Sequence, residues 1–164
     1  YSLLVGLNPD SGGRWNQEDS DRLYGYSDQP GATAQWTQEQ LLADAEARIL
    51  SGEIDFSKLL KQKLRTFLGS DDACVGYSAS VLRHTEFFSL LCNSFYYAAF
   101  LLATGGAVQV WRSRERGLLL LAPLYILGLT LAQMLVEVAG RYHYSMIPML
   151  LLLGQGTWKR TGEE

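Results

Sequence analysis

The chain has 164 residues, a net charge of −3 and 48% hydrophobic residues, and these averages alone would suit one soluble domain. The charges are unevenly distributed, because residues 1–86 hold 13 of the 17 acidic and 8 of the 14 basic residues and therefore carry −5, whereas residues 87–164 carry +2. A net acidic first half excludes a nucleic-acid surface of the usual basic kind.

The chain begins with an apolar stretch, a group of turn-forming residues and an acidic stretch. Residues 3–7 are apolar and predict either a strand or the end of a helix, and residues 8–13 are a dense group of turn-forming residues. The acidic stretch at residues 18–21 raises the alternatives of a calcium loop and a solvated loop. Its spacing does not match an EF-hand, which favours the solvated loop.

Two helices are predicted next. The Thr37-Gln-Glu-Gln string resembles a capping box and opens a helix whose apolar face carries Leu41, Leu42, Ala45 and Ile49, with Gly52 as its stop. Asp55 caps the second helix, which Gly69 ends. Its exposed face is predicted to carry Lys58, Lys61, Lys63 and Arg65. This basic face either is solvated or contacts lipid phosphate at a membrane surface.

The second half contains three apolar runs, over residues 87–111, 118–139 and 144–158. A helix needs about 20 residues to cross a bilayer, which the first two runs provide, and the third is shorter and contains Pro148. The predicted fold is mainly α, with polytopic transmembrane helices in residues 87–164 and a small, mostly helical extracytoplasmic segment in residues 1–86. Three buried helices of a soluble domain are the alternative.

Basic residues set the predicted orientation. Arg112, Arg114 and Arg116 lie between the first two runs and Lys159-Arg160 follows the third, so both groups are read as cytoplasmic by the positive-inside rule. Residues 1–86 then lie outside a plasma membrane that the protein crosses several times. No signal sequence precedes them, so we expect earlier transmembrane helices to belong to the protein. Cys74 would lie outside and Cys92 within the first span, positions that argue against a disulfide.

The residues with the clearest chemical character lie at the outer end of the second run. Glu137 and Arg141 are four residues apart and would share a face if the helix continued. Arg141, Tyr142 and His143 add a guanidinium, a phenol and an imidazole, a set suited to a lipid phosphate and a sugar. The alternative is an interfacial anchor, in which arginine and tyrosine only fix the depth of the helix.

Three strings carry a resemblance to a known family. They are Val136-Glu-Val-Ala-Gly-Arg-Tyr-His-Tyr-Ser-Met-Ile-Pro-Met, Val5-Gly-Leu-Asn-Pro-Asp-Ser-Gly-Gly-Arg-Trp-Asn-Gln-Glu-Asp and Phe56-Ser-Lys-Leu-Leu-Lys-Gln-Lys-Leu-Arg. Together, and in their order along the chain, they resemble bacterial membrane glycosyltransferases of the dolichyl-phosphate-mannose protein mannosyltransferase type, which are family 39-like members of the GT-C superfamily.

The resemblance implies an enzyme that transfers a sugar from a polyprenyl-phosphate donor to an extracytoplasmic acceptor. It assigns lipid-phosphate contact to Arg141, with Tyr142 in support, and the predicted lipid-phosphate site also includes His143 and Glu137. The catalytic residues stay unknown, because the family's principal acid lies in an earlier outer loop. No cofactor is evident in the sequence, although a divalent metal is possible in the whole enzyme. The alternative is a non-catalytic polytopic protein, such as a transporter piece, a flippase partner or an envelope scaffold.

Overall fold

The computed structural model describes residues 1–113 and 117–158. This part of the chain is helical and contains no strand, so the prediction of a mainly α fold is confirmed. The α-helices are α1 (Ser2–Gly6), α2 (Gln17–Ser27), α3 (Ala34–Leu50), α4 (Phe56–Leu68), α5 (Ala73–Tyr77), α6 (Thr85–Ser113), α7 (Leu121–Leu135) and α8 (Ile147–Trp158). The 3₁₀ helices Leu118–Leu120 and Gly140–Met146 precede α7 and α8.

Local capping explains where the first helices begin. The Asn16 side chain accepts a hydrogen bond from the backbone of Asp19 and starts α2. Thr33, not Thr37, caps α3 by accepting from the backbone of Trp36, so the predicted capping box was placed one turn too late. The predicted cap of α4 is confirmed, because Asp55 Oδ1 accepts from Lys58 N at 3.0 Å.

The chain divides into two compact units. The first unit contains Tyr1–Phe67 and Leu131–Ala139. Its apolar core joins α1, α3 and α4 through the buried residues Leu4, Leu7, Leu41, Ala45, Ile54 and Leu59. Residues 3–6 belong to helix α1 and Leu7 is its C-cap, so the strand alternative for this stretch was wrong.

The second unit contains Leu68–Thr130 and Gly140–Glu164. Its core is formed by α6, the first part of α7 and α8, through the buried residues Tyr96, Ala99, Ala103, Val110, Ala122, Leu150 and Leu153. A Cβ at Gly106 would lie 2.0 Å from the carbonyl oxygen of Leu153, so α6 and α8 approach backbone to backbone there. These units are defined by contacts. They do not test the predicted boundary between the extracytoplasmic segment, residues 1–86, and the membrane region, residues 87–164, which stays a prediction.

One described helix, α6, is long and apolar enough to cross a membrane. The span expected at 118–139 is a 15-residue helix that ends at Leu135, and the span expected at 144–158 is a 12-residue helix that begins at Ile147. At 1.5 Å per residue these are about 22 and 18 Å long, short of about 30 Å of hydrocarbon. Arg114, Arg116, Lys159 and Arg160, which set the predicted orientation, lie outside the described residues.

Candidate functional site

Three of the four predicted site residues lie on the 3₁₀ helix Gly140–Met146 of the second unit. The Arg141 side chain is exposed and donates a hydrogen bond to the hydroxyl of Tyr77 on α5. Its guanidinium carbon lies 5.2 Å from the ring centroid of Tyr142 and 5.9 Å from that of Tyr77. Arg141 is therefore in contact with two aromatic residues while its side chain remains exposed to solvent.

His143 points the other way and is fully buried. Its Nε2 lies 3.0 Å from Asp71 Oδ1, and its ring packs 4.8 Å from the ring of Tyr96 and 5.1 Å from that of Tyr144. An imidazole paired with a buried carboxylate and packed between two rings has little freedom to move. His143 therefore fixes the segment from which Arg141 projects.

Asp71 and Tyr77 were not predicted as site residues. Asp71 is itself tied down, because its backbone N–H donates to Asn93 Oδ1 on α6 at 2.7 Å. Its only sequence signal is its place in an acidic pair just after α4, which is also typical of a helix-ending turn. Tyr77 carried no signal, because the contact with Arg141 joins residues 64 positions apart.

The prediction that Glu137 shares a helix face with Arg141 was wrong. Helix α7 ends at Leu135, and residues 136–139 lie outside any helix. The backbone N–H of Glu137 donates to the carbonyl of Ser2 at 2.8 Å, and that of Val138 donates to the carbonyl of Gly13 at 2.8 Å. These long-range bonds hold residues 137 and 138 in the first unit and replace the continued helix.

The glycine-rich string at residues 5–19 also receives a structural explanation in the first unit. Asp19 is fully buried and accepts hydrogen bonds from Asn8 at 3.0 Å, from Asn16 at 2.8 Å and from Arg48 Nη2 at 2.7 Å. Burial alone would raise the pKa of Asp19, but the hydrogen bonds from Arg48, Asn16 and Asn8 outweigh burial and hold that pKa below its ordinary value. The acidic stretch belongs to helix α2 and contains the ion pair of Asp19 with Arg48, so the interpretation as a solvated loop was wrong.

Lys63 does not belong to the exposed basic face of α4. Its side chain is fully buried, and its ammonium donates to the carbonyls of Gly6 at 2.9 Å and of Met134 at 2.8 Å. These carbonyls belong to the last turns of α1 and α7, where acceptors lack partners within the helix. Burial lowers the pKa of Lys63 to about 8. Lys58, Lys61 and Arg65 are exposed, as predicted.

Cys74 lies on α5 and Cys92 on α6. Both are free cysteines of the second unit; Cys74 is exposed and Cys92 is half-buried. The expectation that Cys74 and Cys92 are poorly placed for a disulfide stays a prediction.

Within residues 1–113 and 117–158, no group of three or more His, Cys, Asp or Glu side chains could hold a metal ion. We therefore assign no metal ligand to this part of the chain. Comparisons with protein-family models, curated proteins and solved structures gave no match.

Proposed function

We propose that this chain forms the donor-binding part of a membrane glycosyltransferase, which moves a sugar from a polyprenyl-phosphate donor to an extracytoplasmic acceptor. The observation that carries the proposal is the exposed side chain of Arg141, whose guanidinium donates to the Tyr77 hydroxyl and lies 5.2 Å from the ring centroid of Tyr142. Residues 1–86 lie on the extracytoplasmic side in this proposal, and α6, α7 and α8 belong to a multi-pass membrane region.

The chemistry of Arg141 fits a phosphate that leaves during the reaction. Guanidinium presents a planar fork of donors, and charge-assisted bonds to phosphate oxygens are about twice as strong as neutral ones. When the bond between sugar and phosphate breaks, negative charge builds up on the phosphate. A cation already fixed in place stabilises that charge without having to reorganise. Arg141 performs this task in the proposed reaction.

The surroundings of Arg141 favour such a fixed position. The Tyr77 hydroxyl accepts one guanidinium hydrogen bond, and the buried pair of His143 and Asp71 anchors the 3₁₀ helix two residues further on. A simple interfacial anchor does not need this second layer of contacts, because snorkelling arginines work through flexible stems. Glu137 remains a proposed donor-site residue, and the catalytic acid is expected elsewhere in the protein.

The apolar helices support a membrane location. Large apolar side chains on α6 are exposed, among them Leu90, Leu101 and Trp111, and α6 carries Glu86 in its first turn and Arg112 in its last. An exposed apolar surface of this size is costly in water, and lipid or neighbouring helices would cover it. Arg112 at the end of α6 agrees with the proposed cytoplasmic side.

The test is sugar transfer from a radiolabelled polyprenyl-phosphate-sugar in membranes that carry the full-length protein. Wild type is compared with Arg141→Ala and with Arg83→Ala, a matched control at an exposed arginine in the same unit. We expect Arg141→Ala to reduce kcat about 100-fold, the usual effect of removing one charge-stabilising donor, and Arg83→Ala to retain wild-type transfer.

Equal transfer by the Arg141→Ala and Arg83→Ala variants would reduce Arg141 to an anchor. An absence of transfer by wild type, with the protein inserted and abundant, would remove the glycosyltransferase proposal and favour a non-catalytic membrane protein. Tyr77→Phe serves as a finer probe. It removes only the hydroxyl that orients Arg141, so we expect a loss of a few-fold, smaller than that of Arg141→Ala.

A further inference from the structure

One row of large apolar side chains on α4 is exposed. The row consists of Phe56, Leu60 and Leu64, which follow one another at four-residue spacing and therefore share a helix face. Their exposed fractions are 47%, 40% and 40%. The neighbouring row, which begins at Leu59, is the one buried in the first unit. The exposed apolar row therefore borders the core without belonging to it.

A basic row lies on the other side of the apolar row. Its members, Lys58, Lys61 and Arg65, are all exposed, and none of them forms a salt bridge with another residue of the described part of the chain. Lys61 and Arg65 each follow an apolar residue by one position, which places them about 100° further round the helix and away from its buried face. Residues 56–68 contain no acidic residue. The exposed side of α4 is therefore amphipathic and cationic.

The buried row fixes the orientation of α4. Phe67 is fully buried, and the ammonium of Lys63 donates to the carbonyls of Gly6 and Met134 at 2.9 and 2.8 Å. A rotation of the helix that covered the apolar row would break both hydrogen bonds and expose Phe67. The first unit therefore cannot bury the apolar row by turning α4.

A partner for this side of α4 has to offer an apolar interior bordered by negative charge. The surface of a bilayer with anionic phospholipids offers both, because acyl chains lie directly beneath a layer of phosphates. A helix that lies in this interface inserts its apolar residues among the acyl chains, and its lysines and arginines reach the phosphates. A neighbouring helix within the hydrocarbon would cover the apolar row but would leave three cations without water or phosphate.

Exposed apolar side chains elsewhere in the first unit do not have this charge pattern. Leu50, the last residue of α3, is more exposed than any residue of the apolar row. The exposed charged residues near it in the sequence are Glu46 and Glu53, which an anionic surface would repel. The combination of an apolar row with a basic row is therefore specific to α4 among these positions.

We propose that α4 is an interfacial helix that binds the extracytoplasmic surface of an anionic phospholipid bilayer. The apolar row enters the acyl chains, and the basic row binds the phosphates. This proposal rests on the membrane location and the extracytoplasmic side proposed above for residues 1–86, and not on sugar transfer. Residues 69–84 connect α4 to α6, so the proposed contact precedes the described helix that is long enough to cross the membrane.

The test identifies what lies against α4 in the full-length protein in lipid nanodiscs. One set of discs contains phosphatidylcholine alone, and the other contains equal parts of phosphatidylcholine and phosphatidylglycerol. The photoreactive residue p-benzoylphenylalanine replaces Phe56 or Leu64, and it replaces Leu50 in the control. The change at position 56 only adds a benzoyl group to an exposed ring, so it leaves the fold intact. Adducts formed on illumination are identified by mass spectrometry.

We expect phospholipid adducts at positions 56 and 64 in the mixed discs, at a yield at least about fivefold higher than at position 50. The yield should fall in discs of phosphatidylcholine alone. Combining Lys58→Gln, Lys61→Gln and Arg65→Gln should lower it in the mixed discs as well. Combining Lys58→Arg with Lys61→Arg keeps the charges and should retain it.

Adducts at positions 56 and 64 that join α4 mainly to a peptide of the same protein or of a second copy would overturn the proposal. So would phospholipid yields no higher than at position 50, or yields that change neither with anionic lipid nor with the glutamine substitutions. Sugar transfer is assayed separately on the same discs. A protein that transfers sugar without the lipid contact, or makes the contact without transfer, therefore distinguishes the failure of one proposal from that of the other.

Discussion

The buried ammonium of Lys63 gives an unusual dependence of stability on pH. Lysine has an unperturbed pKa near 10.5, and burial lowers the pKa of Lys63 to about 8. Between these values the unfolded chain binds a proton that the folded chain has lost. Stability therefore rises with pH in this window and is lowest below pH 8.

The size of the effect follows from the same two pKa values. A pKa lowered from 10.5 to about 8 corresponds to a total of about 3 kcal/mol. About 2 kcal/mol of this free energy of unfolding is gained between pH 7 and pH 9.5, and the remainder is gained above pH 9.5. The neutral amine can still donate to the carbonyls of Gly6 and Met134, so deprotonation does not remove these bonds.

The assay compares wild type with Lys63→Met in detergent, using denaturant unfolding followed by circular dichroism at pH 7 and pH 9.5. Methionine keeps the length of the side chain and removes the titration. At neutral pH two terms oppose each other in this variant, namely the loss of two hydrogen bonds and the relief of a buried charge. The informative quantity is therefore how the difference in free energy of unfolding between wild type and Lys63→Met changes with pH.

We expect the wild type to gain about 2 kcal/mol over Lys63→Met between the two pH values. Lys61→Met removes an exposed lysine from the same helix and should follow the wild type at both. If wild type and Lys63→Met change in parallel, the ammonium is solvated and the buried contacts with the helix ends are not maintained in solution.

Two further substitutions test the packing of the first unit. Gly6→Ala places a methyl group 2.4 Å from the backbone carbonyl carbon of Val136 and should destabilise the protein by about 1–3 kcal/mol in denaturant unfolding. Gly25→Ala is the control, because nothing lies within 4 Å of the new methyl group, and it should be neutral or stabilising. Arg48→Met leaves the carboxylate of Asp19 buried without its cation, and we expect the free energy of unfolding to fall by about 3–5 kcal/mol at neutral pH. This loss should become smaller in acid, where Asp19 is protonated. A loss that does not change with pH would contradict this account.

The helices that the sequence predicted well are those set by local signals. The pattern of α4 and its Asp55 cap lie within one short window, and the start of α6 and its uncharged length can be read directly. The end of α7 could not be read this way. Residues after Leu135 leave the helix because their backbone groups bind Ser2 and Gly13, and no local pattern reveals partners more than 120 positions away.

The burial of Lys63 was not predicted, although the sequence contained a pattern that indicated it. Leu59, Lys63 and Phe67 are spaced four residues apart, and in the structure all three are buried on one face of α4. The prediction placed every lysine of α4 on the exposed face and so ignored this four-residue spacing. Tyr77 and Asp71 had no comparable signal, because each acquires its role only through a contact with a distant residue.

The structure also changes how much each part of the resemblance contributes to the proposed function. Gly6 allows the backbone of Val136 to approach, and a Cβ at Gly13 would lie 2.8 Å from the Lys63 side chain. Asn8 binds the buried Asp19. These residues are explained by packing, so they would be required whether or not the protein transfers a sugar.

Arg141 is not explained in this way. Its charged group is exposed, and the contacts around it orient it without burying it. A fold that needed only an anchor at this depth would not need His143 and Asp71 buried behind the segment that carries the cation. The glycosyltransferase proposal therefore depends on Arg141, and the glycine-rich string, although it contributed to the resemblance, adds no independent support.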